Sequence, residues 1–257
     1  MPFFLPGPDP DFPFLDESDF FSFAGSKEWE DKVILIDKKE TFYFRRKDTG
    51  WERSIIAIGG NLSPGMLLSA YEQGIFPWYG PGDPLIWQSP DPRFVIYPDK
   101  LHISSSMRKI LKNRVFDITV NEDFDGVIRG CAEVYRPGQG DTWISNDIIE
   151  AYCELHRMGW AHSAEAWQDG SLAGGCYGVI IGNVFIGESM FAKKSNASKA
   201  AFLAFAEKLF ELGLAFIDCQ VHTRHLASLG GEELPRKDYL KLLEKNGVSR
   251  FQSMLSL

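Results

Sequence analysis

Cysteine is scarce in this chain, with only Cys131, Cys153, Cys176 and Cys219 among 257 residues. None forms a Cys-x-x-Cys pair, which argues against a disulfide framework or a cysteine zinc site and favours buried thiols in a reducing cytoplasm. Long apolar runs are missing as well. None approaches the ~20 residues that span a bilayer, and no basic segment precedes an apolar block, so neither a membrane segment nor a leader is expected. Positive charge is not in excess: the net charge of −8 argues against nucleic-acid binding by the whole surface, although not against a local basic patch. There is no Walker loop and no internal repeat. Gly187-Glu188-Ser189-Met190-Phe191 lacks the closing glycine of a nucleophile elbow, which argues against a serine hydrolase. His222-x-x-His225 has no third ligand suggested nearby, and no metal is assigned.

What remains is an ordinary soluble composition, 44% hydrophobic and 24% charged, in a chain long enough for one domain or two. Residues 1 to about 30 are rich in Pro and Phe without a period and read as an irregular arm. Val33–Ile36 and Thr41–Phe44 read as a hairpin. Ser63-Pro64 starts a helix that Gly74 stops, and the Pro/Gly/Trp-dense stretch from Phe76 to Pro98 holds the domain junction. Beyond it, Ser104–Asn113 predicts a short helix, and Asp147 caps another with Glu150 three residues on. Ala161–Trp167, Leu172–Ile181 and Val184–Phe191 form an antiparallel meander, the last two joined by a Gly182-Asn183 turn. A helix from about Ala197 to Leu212 and a strand Leu214–Gln220 follow. Meander, helix and strand make an α+β plan with a mixed sheet.

The chemistry-bearing residues sit where apolar strands end. Asp218 and Gln220 are two apart, so on a strand they share a face, and Glu188 closes the strand before. Polar groups on such strands are costly without partners, and a cationic partner is expected. Leu172-Ala173-Gly174-Gly175-Cys176-Tyr177-Gly178 is no dinucleotide fingerprint; it reads as close backbone packing or a bulge, with a ligand backbone against the strand as the sharper alternative. Trp78, Trp87, Trp143 and Tyr152 stand in or beside loops, where several together make a stacking wall. Arg108, Lys109, Lys112 and Arg114 crowd one short helix and its exit, and Lys193, Lys194 and Lys199 flank another. A solvated face is the default for such clusters; a phosphate-binding surface is the alternative.

Taken in order, Ile58-Gly59-Gly60-Asn61-Leu62-Ser63-Pro64, Ala70 to Trp78, Ser89-Pro90-Asp91-Pro92-Arg93, Leu101-His102-Ile103-Ser104 and Thr142-Trp143-Ile144 resemble the bacterial leucyl/phenylalanyl-tRNA–protein transferases. Gly187–Phe191, Asn196-Ala197-Ser198-Lys199, Ile217-Asp218-Cys219-Gln220, Leu229-Gly230 and Pro235 to Tyr239 continue the resemblance. It implies an N-terminal domain over 1–92 and an acetyltransferase-like (GNAT) catalytic domain over 93–257 with a mixed, largely antiparallel sheet. The implied reaction moves Leu or Phe, Met less readily, from aminoacyl-tRNA to the α-amine of proteins with N-terminal Arg or Lys, marking them for N-degron proteolysis. No cofactor is implied, and the default is a cytoplasmic monomer that binds no membrane. Gln220 would accept a hydrogen bond from the amine, Asp218 would orient Gln220, either Asp218 or the substrate's own groups would take the proton, and Glu188 would meet the acceptor's Arg or Lys side chain. The family's apolar pocket maps onto Cys176, Phe185, Met190, Phe202, Phe205 and Ile217. Strand parity allows Glu188, Met190 and Phe185 one site only if the strand is bulged, for instance at Gly187. Tyr71, Trp78, Trp143 and Tyr152 map to the aromatic wall for the terminal adenosine and acceptor, and Arg108, Lys109, Lys112 and Arg114 to tRNA phosphates. Cys176 stands where family members often carry Met, which predicts a wider pocket favouring Phe. About Asp16 to Ser54 looks like an insertion. Two other readings compete: an acyl-CoA N-acyltransferase, disfavoured by Lys193-Lys194-Ser195-Asn196-Ala197-Ser198 in place of a pyrophosphate turn, and a non-catalytic tRNA- or degron-binding module.

Overall fold

The computed structural model describes residues 32–36, 41–45, 54–80, 82–133 and 142–246, the first two segments by their backbone alone. The Pro/Phe-rich arm, most of the expected insertion and the turn 37–40 lie outside the described residues.

Strands β1 (Lys32–Ile36) and β2 (Thr41–Arg45) pair antiparallel, as their pattern predicts. With β3 (Ile55–Gly59), β4 (Phe76–Pro77) and β5 (Ile86–Gln88) they form a five-stranded sheet in the order β2-β1-β3-β5-β4. Helix α1 (Pro64–Glu72) starts at the expected cap: the Ser63 hydroxyl accepts the Met66 N–H at 3.3 Å, and Pro64 takes the first-turn position where no N–H is needed. Its far end gives way at Gly74, whose φ of +72° admits glycine most readily.

The larger unit starts with β6 (Arg93–Ile96), α2 (Ser105–Lys112), β7 (Asp117–Val120), α3 (Phe124–Glu133) and α4 (Asn146–Arg157). The meander β8 (Ala161–Gln168), β9 (Ser171–Ile181) and β10 (Val184–Ala192) follows, then α5 (Ala197–Glu211), β11 (Phe216–Asp218), α6 (Arg224–Ser228), β12 (Glu232–Leu234) and α7 (Arg236–Asn246). Seven strands lie in the order β12-β6-β11-β10-β9-β8-β7, and only β10 and β11 run parallel. The fold is therefore α+β with a mixed, largely antiparallel sheet. Gly182, at φ +55°, opens the β9–β10 turn as a Gly-first hairpin requires. Two local expectations need correction. Helix α4 is capped by Ser145, whose hydroxyl accepts the Ile148 N–H, while Asp147 sits inside the first turn. The strand expected over Leu214–Gln220 shrinks to Phe216–Asp218, because Gln220 is in the left-handed region at φ +62°, which ends extended structure.

The seven-stranded sheet is the middle layer. Val184, Ile186, Phe216 and Val95 point to one core with α1, α3 and α4, which the N-terminal Ile56, Tyr71 and Trp87 also enter. Phe185, Ile217, Phe94 and Ile96 point to the other core, under α2 and α5. Alternation along β10 breaks at one place. Gly187 pairs with Gly178 and Ser189 with Tyr177, so Glu188 is an extra residue without a partner, a β-bulge at the position that parity demanded. As a result Phe185 before it and Met190 after it both lie on the α5 side. The glycines of β9 serve close packing: a Cβ on Gly178 would lie 2.2 Å from the Ile186 carbonyl, and one on Gly174 2.7 Å from the Ala197 methyl.

Candidate active site

The bulge, the end of β11, the edge strand β4 and its neighbour β5 enclose a cavity of about 1010 Å³ between the two units. Its inner part is apolar, lined by Cys176, Phe185, Met190, Phe202, Ile217 and Leu226. Phe205 is not on the wall; it supports Phe185 from behind, ring centroids 5.2 Å apart at 84°. Trp78, Tyr79 and Trp143 stand nearer the opening, where Trp78 is 40% exposed. Asp83 and Asp91 are exposed at the mouth. Among the described residues no Lys or Arg lines the cavity, so nothing there offsets this acidic side.

Asp218 does not reach the cavity wall. It is fully buried, and four donors fill its four lone-pair sites. Arg93 donates twice, Nε to Oδ1 at 2.8 Å and Nη2 to Oδ2 at 2.6 Å. The Tyr239 hydroxyl donates to Oδ2 at 2.8 Å, and the Gln220 backbone N–H to Oδ1, also at 2.8 Å. Arg93 is the cationic partner anticipated for the acidic strand ends; it comes from β6, donates also to the Gly74 carbonyl at 3.1 Å, and lies between the rings of Phe76 and Tyr239, 4.8 and 4.5 Å from their centroids. Burial alone would lower its pKa, but Asp218, together with Tyr239 and Glu188, more than reverses that, so the guanidinium is firmly charged.

Gln220 is therefore aimed from its backbone. The side chains of Asp218 and Gln220 do not project from one strand face, as the spacing predicted; the carboxylate instead anchors the left-handed backbone at Gln220, as Asx turns do. At its other end, Gln220 Nε2 donates to Glu188 Oε1 at 2.8 Å. Both ends of the residue are held, and the amide oxygen is left as the acceptor on the cavity side.

Glu188 lies on the cavity wall, half-buried, with its carboxylate against two tyrosines. Tyr71 of α1 donates to Oε1 at 2.7 Å and Tyr152 of α4 to Oε2 at 3.3 Å, and the two hydroxyls also touch each other. Desolvation lifts the pKa of Glu188 to about 7, although the tyrosine hydrogen bonds pull it down. Burial, then the neighbouring Glu188, raises both tyrosine pKa values, which keeps them neutral donors. Tyr71 and Tyr152, expected on the aromatic wall, are fully buried behind Glu188 and do not line the cavity.

The remaining candidates lie apart. Arg108, Lys109, Lys112 and Arg114 are exposed on and just beyond α2 and do not line the cavity. His222 precedes α6 and meets the Phe94 ring edge-on at 5.1 Å, so it shares no helical face with His225, which lines the cavity beside Leu226. Among the described residues no group of three His, Cys, Asp or Glu could hold a metal ion, and no helix is long and apolar enough to cross a membrane. Reading the sequence missed Arg93 and Tyr239 as site residues. Both stand in stretches already singled out, Ser89–Arg93 and Pro235–Tyr239, and a buried arginine opposite an acidic strand end is the signal that could have found them.

The sequence profile described as leucyl/phenylalanyl-tRNA protein transferase matches residues 95–244, and that of the N-terminal domain of the same proteins matches residues 60–91. A leucyl/phenylalanyl-tRNA–protein transferase of Syntrophus aciditrophicus is 50% identical over 195 residues, 76% of this chain and 82% of its own. One from Flavobacterium johnsoniae is 51% identical over 193 residues, 75% of this chain and 91% of its own. The protein is thus an aminoacyltransferase. The chain belongs to the leucyl/phenylalanyl-tRNA–protein transferase family. A solved GCN5-related N-acetyltransferase from Kribbella flavida is 13% identical, covering 67% of this chain and 61% of its own, at a TM-score of 0.34. The larger unit's own topology is a meander followed by a helix and a parallel strand in a mixed sheet.

Proposed function

We propose that this protein transfers Leu or Phe, and Met less readily, from aminoacyl-tRNA to the α-amine of proteins that begin with Arg or Lys, as a cytoplasmic monomer acting in N-degron proteolysis. The observation that carries the reading is the doubly held Gln220 amide, set between an apolar pocket and an acidic mouth. An aminoacyl ester is already activated, so a neutral amine attacks it without a covalent enzyme intermediate, and the protein's task is alignment. Gln220 accepts a hydrogen bond from the amine; Asp218, locked by Arg93, positions Gln220 and touches no substrate.

The apolar lining receives the Leu or Phe side chain. Cys176, smaller than the Met that relatives often carry there, leaves room for Phe. Trp78 and Trp143 offer rings for the terminal adenosine, and the exposed cations of α2 suit the phosphates of the acceptor stem. The acceptor's basic side chain is assigned to Asp83 and Asp91 in place of Glu188. A carboxyl whose pKa is lifted to about 7 is partly protonated near neutral pH and is a weaker partner for a cation. The domain boundary is placed between residues 92 and 93, a reading supported by profile matches that end at 91 and begin again at 95.

The test is transfer of radiolabelled Leu and Phe from charged tRNA to peptides starting with Arg, Lys, Asp or Ala. Label is expected on Arg and Lys peptides alone, and Asp83→Asn with Asp91→Asn should raise KM for them. Label on Asp peptides would overturn the acidic acceptor site; bound charged tRNA with no label on any peptide would overturn catalysis.

A further inference from the structure

We infer that Glu188 is the general base of this reaction: it takes the proton that the attacking amine must lose and hands it to the departing oxygen of the tRNA. The inference rests on the aminoacyl-transfer reading above and adds the one component which that reading leaves unassigned.

Attack forms a C–N bond between the amine and the ester carbonyl carbon and leaves the nitrogen with a proton too many. Breaking the C–O bond leaves the ribose oxygen with a proton too few. One proton must therefore move from nitrogen to oxygen for the products to be an amide and a ribose hydroxyl. Gln220 cannot carry it, since a carboxamide oxygen is a hydrogen-bond acceptor but not a base near neutral pH. Asp218 is excluded by geometry: it is off the cavity wall, and its lone-pair sites are all occupied. Asp83 and Asp91 are exposed at the mouth, where the reading above assigns them to the acceptor's basic side chain, not to its amine. His225 is half-buried, and burial together with Lys199 makes it a poorer base.

Glu188 meets every requirement that these groups fail. It is on the cavity wall, it is hydrogen-bonded to the amide that holds the amine, and its three donors leave one lone-pair site open. The bulge puts it there, as the extra residue between the paired Gly187 and Ser189, which line the cavity with it. The groups that face it are Tyr71 from α1, Tyr152 from α4, Gln220, and at longer range Asp218 and Arg93 from β11 and β6. Their balance leaves its pKa at about 7, close to the ~7.7–8.0 of an α-amine, where a base both accepts and releases a proton readily. The tyrosines serve as positioning residues for this carboxylate.

The experiment is the pH dependence of kcat for the full chain with saturating charged tRNA and an Arg-initiated peptide. In the parent protein kcat should rise with pH through a limb near 7. Glu188→Gln should lower kcat by ~10²- to 10⁴-fold and abolish that limb, with KM for the peptide little changed. Tyr152→Phe removes a donor that lowers the Glu188 pKa, so the limb should move to higher pH, a shift that a merely structural role would not produce. The Tyr152 variant keeps the question open to test even where Glu188→Gln fails to fold. A Glu188→Gln protein that keeps its kcat, or that loses only KM, would overturn the inference, as would a limb unmoved by Tyr152→Phe. Absence of transfer by the parent protein at every pH would instead overturn the reading of the function on which this one stands.

Discussion

Asp218 and Arg93 show how much of this site depends on one buried pair. Neither side chain has any exposed surface, and each is held by further polar partners, so the desolvation of both charges is offset only while both are present. Arg93→Met should destabilise the protein by ~3–5 kcal/mol, because it leaves Asp218 buried without its counter-charge. Arg93→Met combined with Asp218→Leu should recover most of that loss in urea denaturation while transfer stays abolished, since Gln220 has lost its anchor. Legibility at this scale was uneven for a physical reason. Asp218, Gln220 and Glu188 stood out because polar residues interrupt apolar strands, a signal confined to a few neighbouring positions. Arg93 lies 125 residues from its partner, and nothing local in Ser89–Arg93 says that its side chain will be buried. The left-handed backbone at Gln220 was equally hidden, because the hydrogen bond that favours it forms only once Asp218 is in place.

Among the elements, β10 carries the greatest consequence. Meander, helix and strand were readable from turn residues and apolar periods, and even the bulge followed from parity, since Phe185 and Met190 could share a pocket in no other way. The cap of α4 was misplaced by two residues because Asp147 and Glu150 imitate a capping box inside the helix that Ser145 starts. The glycines on either side of the β9–β10 pairing are not equivalent. A methyl on Gly178 would press on the Ile186 carbonyl at 2.2 Å and on the Phe185 ring at 2.6 Å, whereas one on Gly187 would meet nothing nearer than 3.6 Å. Gly178→Ala should therefore cost ~1–3 kcal/mol and disturb the pocket through Phe185. Gly187→Ala should be tolerated in thermal melting and leave transfer close to that of the parent.

For the molecule as a whole, two groups shifted by desolvation set opposing responses to pH. Burial, then His156, lowers the His162 pKa from 6.5 to about 3, so the unfolded chain binds its proton first and stability falls as pH drops from 6.5 towards 3. Glu188 is raised from 4.5 to about 7, so the folded chain holds its proton longer and stability falls as pH rises from 4.5 through 7. Glu188→Gln removes only the second effect. Its stability relative to the parent should increase between pH 4.5 and 7 and level off above that, in urea titrations across this range.

Tyr71, Gly74 and Phe76 belong to the smaller unit, yet they hold Glu188 and Arg93 of the larger one. The larger unit is thus not a portable enzyme. In a fusion, a circular permutation or a recombination that separates the two, it would keep its sheet and its acidic residues but lose the contacts that tune them. The smaller unit is itself part of the machinery, because it supplies the Tyr71 hydroxyl and the Gly74 carbonyl that hold Glu188 and Arg93.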